Sequence, residues 1–175
     1  MALTGRVGYG AFSLSRFAEP HLRHHVEKTL AYTPDQLFEL VGDVEAYPRF
    51  LPWIVGMRTW NARSDPDGTR WLDAEAKVGF SFLREKFSTR VRRDPAARQI
   101  DVDLISGPFQ KLRNRWRFLE DPAGTKIAFD IDFAFKTRLL EGLLERNFES
   151  AVDRLMTCFE DRARALYGPS ASGQA

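Results

Sequence analysis

The chain has 175 residues, 43% of them hydrophobic and 29% charged, with 26 basic residues against 24 acidic and a formal net charge of +2. That length fits one domain able to bury a core unaided, and the single cysteine, Cys158, excludes an intramolecular disulfide or a multi-cysteine metal cluster. Near-neutral charge neither demands nor excludes an anionic partner, and no apolar run approaches the roughly 18 residues that span a bilayer, so any membrane contact should be peripheral.

Residues 1–23 carry Gly5, Gly8 and Gly10, three arginines and no acid before Glu19. They read as an N-terminal extension with some likeness to a transit peptide. From His24 to Tyr32, Val26, Leu30 and Tyr32 alternate with Glu27 and Thr29, which predicts a first strand. His24 and His25 are adjacent, so a strand turns them to opposite faces and they cannot easily ligate one metal ion. Thr33-Pro34-Asp35-Gln36 then predicts a helix start: Thr33 caps, Pro34 fits the first turn and Gln36 closes a capping box. The helix should be short, with Leu37, Phe38 and Val41 inward, and a second short helix should follow around Asp43 to Tyr47. Pro48 and Pro52 bracket an irregular segment ending at Trp53. Phe50, Leu51 and Trp53 are too apolar for a casual surface loop, and either plug the core or line a cavity mouth.

Six further segments alternate apolar and polar residues between proline- or glycine-bearing turns: Ile54 to Ala62, Arg70 to Val78, Glu85 to Arg92, Gln99 to Ile105, Leu112 to Glu120 and Lys126 to Lys136. Short connections predict antiparallel hairpins. Leu72, Ala74, Ala76, Val78 and Phe80 share one face, opposite Trp71, Asp73, Glu75 and Lys77; Ile127, Phe129, Ile131, Phe133 and Phe135 form the richest apolar row. On the charged face, closing the last hairpin sets Arg113 opposite Asp132 and Arg115 opposite Asp130, and the preceding one should set Arg90 opposite Asp101. Such pairs stabilise by about 0.2–1 kcal/mol each. They also engage two members of the row Arg113, Arg115 and Arg117, which weakens its reading as a phosphate-binding stripe. Ser106 to Lys111, at one end of the apolar face, is either a simple turn or a mobile gate over a cavity.

From Arg138 to Tyr167, Leu140, Leu144, Phe148, Val152, Leu155, Phe159, Ala163 and Leu166 recur at steps of three and four, the signature of one long amphipathic helix ending at Gly168-Pro169. Thirty helical residues span roughly 45 Å. Cys158 inside it reads as a small buried hydrophobe. One apolar sheet face and one long helix to cover it predict an α+β helix-grip fold: a curved antiparallel sheet of six or seven strands wrapped around the C-terminal helix, with two short helices after the first strand. Residues 24–167 form the domain, and 168–175 a disordered tail.

The run Tyr32 to Phe38, the segment Asp43 to Trp53, Val78-Gly79-Phe80, and Gly107 to Leu112 with Asn114 and Trp116 together resemble the coenzyme Q-binding proteins of the START superfamily. Sequences of that kind are often grouped with polyketide cyclases and dehydrases, and a bacterial relative is the ribosome-association toxin. The resemblance spans about His24 to Tyr167, and its most specific part is the tyrosine-proline-to-tryptophan run. Where many relatives carry a cysteine after the tryptophan, this chain has Ile54. The resemblance implies non-catalytic binding of a polyisoprenoid quinone, ubiquinone, as a bound ligand with no cofactor or metal. It further implies a lipid chaperone or carrier in the cytoplasm, peripheral to the inner membrane, or in the mitochondrial matrix of a eukaryote.

The residues themselves are compatible with a tunnel, because Ala74, Ala76 and Gly79 are small while Phe80, Phe129, Phe133, Phe135 and Phe148 are bulky. The expected cavity residues are Phe50, Leu51, Trp53, Ala74, Ala76, Val78, Phe80, Phe109, Phe129, Phe133, Leu144, Phe148, Val152 and Leu155. Membrane contact is expected through Phe50, Leu51, Trp53 and Phe109 near Arg49 and Lys111. Two other functions compete: an inhibitor of ribosomal subunit association that uses Arg90, Arg92, Arg93 and the basic row, and a cyclase or dehydratase, which would need acids and bases converging in the cavity.

Overall fold

The alternating segments fold as strands β1 (Leu22–Leu30), β2 (Ile54–Ser64), β3 (Arg70–Phe80), β4 (Leu83–Asp94), β5 (Gln99–Ser106), β6 (Phe109–Asp121) and β7 (Gly124–Phe135). Helix α1 (Pro34–Gly42) and a 3₁₀ helix (Val44–Arg49) follow β1, and α2 (Phe148–Tyr167) closes the chain. The computed structural model describes residues 22–80, 83–138, 142 and 148–169, the side chains at 80 and 83 excepted. Most of the expected extension 1–23, the tail beyond 169, and the helix positions Leu140 and Leu144 lie outside the described residues.

The strands form one antiparallel sheet in the order β1-β7-β6-β5-β4-β3-β2, a meander from β2 to β7 with β1 added beside β7. This is the helix-grip arrangement. The connection through α1 and the 3₁₀ helix carries the chain from one sheet edge to the other. α1 starts as its sequence dictates: Gln36 N–H donates to Thr33 Oγ1 at 3.2 Å, and Thr33 N–H donates to Gln36 Oε1 at 2.9 Å. Leu37, Phe38, Leu40 and Val41 are buried beneath it. The 3₁₀ helix runs through Pro48, so the irregular segment begins later than the prolines suggested.

Two registers can be compared with expectation. β6 and β7 pair with Arg113 opposite Asp132 and Arg115 opposite Asp130, as the turn chemistry implies. β4 and β5 do not pair as expected: Arg90 stands opposite Asp103, and Asp101 faces Arg92. The Asp94 carboxylate accepts from Ala97 N–H at 3.0 Å and Arg98 adopts φ of 47°, which builds a four-residue turn between Asp94 and Gln99 and moves the ladder by two residues. A two-residue slip preserves the faces, because side chains alternate with period two.

The side chains of the basic row lean the other way. Arg113 bonds Asp103 at 2.7 Å and Arg115 bonds Asp101 at 2.6 Å, both on β5, while Arg117 bonds Asp130 at 3.1 Å. All three cations are thus engaged, and the outer face is a checkerboard of opposite charges. The two histidines part as strand geometry requires. The ring of His24 packs edge-on against Phe148, and His25 meets Asp130 at 2.6 Å on the outer face.

α2 buries Phe148, Val152, Met156, Phe159 and Ala163 against the concave face. Leu166, expected in that stripe, is 49% exposed. By then the helix has reached the chain's turn into α1, where Tyr167 donates to Gln36 O and Tyr32 donates to Gly168 O. Cys158 is half-buried, and burial pushes its thiol pKa upward, as suits an unreactive packing residue.

Candidate ligand cavity

Small side chains on β3 leave space between sheet and helix. Ala74 and Ala76 project inward where Leu72 and Val78 flank them, and the aromatic rings opposite keep α2 away from the strand. The result is a cavity of about 310 Å³, within the range of ordinary ligand pockets, about 300–1,000 Å³. Val91, Ile100 and Phe129, each about 1% exposed, form its deep wall. Trp53, Met57, Phe87, Phe109, Phe135 and Leu155 border it and are only half-buried.

Aromatic contacts brace the walls. Trp116 lies 4.2 Å from Phe129 and 5.2 Å from Phe159 between ring centroids, Phe133 is 4.8 Å from Phe148, and Phe109 stacks on Phe135 at 4.8 Å. These rings join β6, β7 and α2 without filling the space between them.

Of the residues expected around a ligand, Leu51, Trp53, Ala74, Ala76, Phe109, Phe129, Phe133, Phe148 and Leu155 border this cavity. Three do not. The Phe50 ring turns away to pack edge-on against Tyr47 and Phe159 and sits under Arg162. Val78 is half-buried near the sheet edge opposite Ile54, and Val152 is core packing on α2. The Phe80 side chain and Leu144 lie outside the described residues. Residues not anticipated there include Tyr47, Thr89, Val102, Asn114 and Ile131. Asn114 was legible: it alternates with Leu112 and Trp116 along β6, and that period places it inside.

The segment weighed as turn or gate is mostly strand, because Phe109 already pairs with Phe135. Only Gly107 and Pro108 connect the strands, and Lys136 N–H donates to Pro108 O at 2.9 Å. Gly107 has φ of 144°, and a Cβ there would lie 2.5 Å from Phe87 Cβ, so this turn requires glycine. The expected membrane face is also altered. Leu51 is 2% exposed and cannot reach a lipid surface, and Lys111 is bonded to Asp132. Val55, 60% exposed, and Trp53, beneath the Arg154 guanidinium at 5.7 Å, are the apolar groups nearer solvent.

Chemically the lining is spare. Its polar groups among the described side chains are Tyr47, Thr89 and Asn114 and the indole N–H groups of Trp53 and Trp116. Tyr47 donates its hydroxyl to Val41 O at 2.6 Å, and burial pushes its pKa well up, which keeps it a neutral phenol. Asn114 Oδ1 is buried and has no hydrogen-bond partner. A second pocket of about 450 Å³ lies among α1, the 3₁₀ helix and the end of α2, bordered by Glu39, Asp43, Glu45, Arg93 and Arg162 together with Leu40, Phe50, Leu72 and Leu166. Five charged side chains share its walls with apolar ones, which suits a hydrocarbon ligand less well than the first cavity does.

The family model for polyketide cyclase / dehydrase and lipid transport matches residues 30–160. The chain is 34% identical over 142 residues to the ribosome association toxin of Rickettsia prowazekii, covering 79% of this chain and 94% of that protein. It is 26% identical over 151 residues to a mitochondrial coenzyme Q-binding protein homolog of Xenopus laevis, covering 84% of this chain and 60% of that protein. The solution structure of an 18 kDa protein from Caulobacter crescentus is 59% identical, with a TM-score of 0.72 over 85% of this chain and 99% of its own.

Proposed function

The chain belongs to the polyketide cyclase/dehydrase and lipid-transport family, and from that premise we propose that its cavity holds a polyisoprenoid quinone without performing chemistry on it, in the manner of a lipid carrier serving respiratory electron transfer. The observation that carries this reading is the apolar cavity between sheet and helix, walled by paired aromatic rings that suit a planar ring and an isoprenoid chain. Each buried methylene contributes about 0.8 kcal/mol, so even a short tail adds firmly to affinity. The described lining offers no carboxylate, imidazole or amine to serve as a general acid or base, and its phenol is held neutral, which supports binding over catalysis. Similarity to a coenzyme Q-binding protein points the same way. Loading and release would take place at a membrane surface met by Trp53 and Val55.

Titration with a short-tailed ubiquinone tests the reading, using quenching of Trp53 and Trp116 fluorescence, since both residues border the cavity. Saturable quenching that competing hydrocarbon displaces is the expected result. No saturable quenching at micromolar quinone would overturn it.

A second reading is association with ribosomes, favoured by the 34% identity that extends over 94% of the Rickettsia toxin. The engaged state of Arg113, Arg115 and Arg117 removes one obvious RNA-binding stripe. Cosedimentation with large ribosomal subunits at low salt that is lost as salt is raised would favour this reading over the first.

A further inference from the structure

Where the inner face of β5, β6 and β7 borders the cavity, the described side chains are apolar apart from Asn114 and the indole N–H of Trp116. Asn114 lies between Leu112 and Trp116 on β6, with Val102 opposite it on β5 and Ile131 opposite it on β7. All four neighbours border the same cavity as Asn114. Two other interior polar groups have partners: Tyr47 donates to Val41 O, and Thr125, fully buried, donates to Tyr32 O at 2.6 Å. Asn114 Oδ1, by contrast, is buried and unbonded. Exchanging the amide oxygen and nitrogen does not remove the difficulty, because an orphaned donor then replaces the orphaned acceptor. A leucine here would match its neighbours and leave no polar atom unsatisfied, so packing alone does not account for an asparagine at this position.

We propose that Asn114 is the polar anchor of the cavity, a binding residue that hydrogen-bonds an oxygen on the ring of an otherwise apolar ligand. The carboxamide suits such a ring in either redox state once its plane turns about the Cβ–Cγ bond: with the NH₂ toward the cavity it donates to a quinone carbonyl, and with the oxygen there it accepts from a hydroquinone hydroxyl. Trp116, the next inward residue on the strand, packs with Phe129 to give an aromatic surface beside it on which a planar ring can lie. The selectivity this confers is for oxygenated rings over hydrocarbon of the same shape, because a ligand lacking the oxygen leaves the amide unpaired. The inference rests on the lipid-binding reading of the cavity and assigns the headgroup end of the ligand to the middle of β6.

The test compares 2-naphthol with 2-methylnaphthalene, two probes of nearly equal shape, in wild type and in Asn114→Leu, alongside a short-tailed ubiquinone. Wild type should bind the naphthol at least tenfold more tightly, and Asn114→Leu should bring the ratio near one while binding methylnaphthalene no less well. In wild type the Asn114 side-chain amide resonances should shift on adding naphthol and stay in place on adding methylnaphthalene, a readout independent of whether the variant folds. A naphthol preference that survives in Asn114→Leu, unmoved amide resonances, or failure of both probes to bind overturns the anchor. A retained and Asn114-dependent naphthol preference with no ubiquinone binding upholds the anchor and overturns the quinone reading instead.

Discussion

Arg90 grips Asp73 across the β3–β4 ladder with two parallel hydrogen bonds, Nε to Oδ1 at 2.8 Å and Nη2 to Oδ2 at 3.1 Å. The Asp73 side chain is 5% exposed and the arginine 49%. Arg90's hydrogen bonds outweigh the burial that opposes them and hold the Asp73 carboxyl below the usual carboxylate range. A depressed folded pKa contributes stability that is fully present above the unfolded value of about 3.9 and is lost as pH falls through the lower folded value.

Arg90→Met should therefore destabilise the fold at pH 7, and only modestly, because the arginine is half open to water. The difference from wild type should shrink as pH is lowered from 5 toward 2. Urea denaturation along a pH series checks this, and a constant difference would show that the carboxylate is not the source. Asp94, held low by the N–H of Ala97, titrates in the same sense. So does Asp130, where burial works upward but the bonds from His25 and Arg117 prevail.

Gly42 ends α1 beneath the Arg93 side chain, and a Cβ there would fall 2.2 Å from Arg93 Nε. Alanine normally favours a helix over glycine by about 1 kcal/mol. Here the overlap should reverse the sign, because Arg93 is held by Glu39 at 2.6 Å and lies over the Phe38 ring at 5.3 Å. Gly42→Ala is expected to destabilise by about 1–3 kcal/mol in chemical denaturation. Gly42→Ala in an Arg93→Ala background should recover the helix-propensity gain.

Ala76 faces the cavity between Met57 and Phe87 on the neighbouring strands. Ala76→Leu should fill part of the space, raising stability by about 0.5–2 kcal/mol while weakening binding of a short-tailed quinone at least tenfold. Calorimetric unfolding with and without ligand separates the two effects. Lower stability with unchanged affinity would mean that the space is not where ligand sits.

Thr33 caps α1 with a complete capping box. Thr33→Ala should cost about 1 kcal/mol, as cap removal commonly does, and Thr33→Ser should restore it.

That box is also the clearest case of structure legible in sequence, since Thr33, Pro34 and Gln36 determine it through backbone neighbours alone. The β6–β7 register was legible for a similar reason: Asp121 and Gly124 close a tight turn, and alternation does the rest. The β4–β5 register was not, because it depends on Arg98 taking a left-handed conformation that arginine does not advertise. Ala74 and Ala76 were legible as cavity makers from their size. Phe50 was not legible as a residue facing away, because its direction is decided by Phe159 and Arg162, more than a hundred residues along the chain. Asn114 was visible in the period of β6, but a lone amide gains meaning only when Val102 and Ile131 are seen on either side of it.

The most direct measurement of the central claim is mass spectrometry of organic extracts from protein purified, without added lipid, from a host that makes ubiquinone. The account predicts ubiquinone in amounts that scale with protein and fall sharply in Ala76→Leu. Extracts free of quinone, or quinone equally abundant in Ala76→Leu, would contradict it.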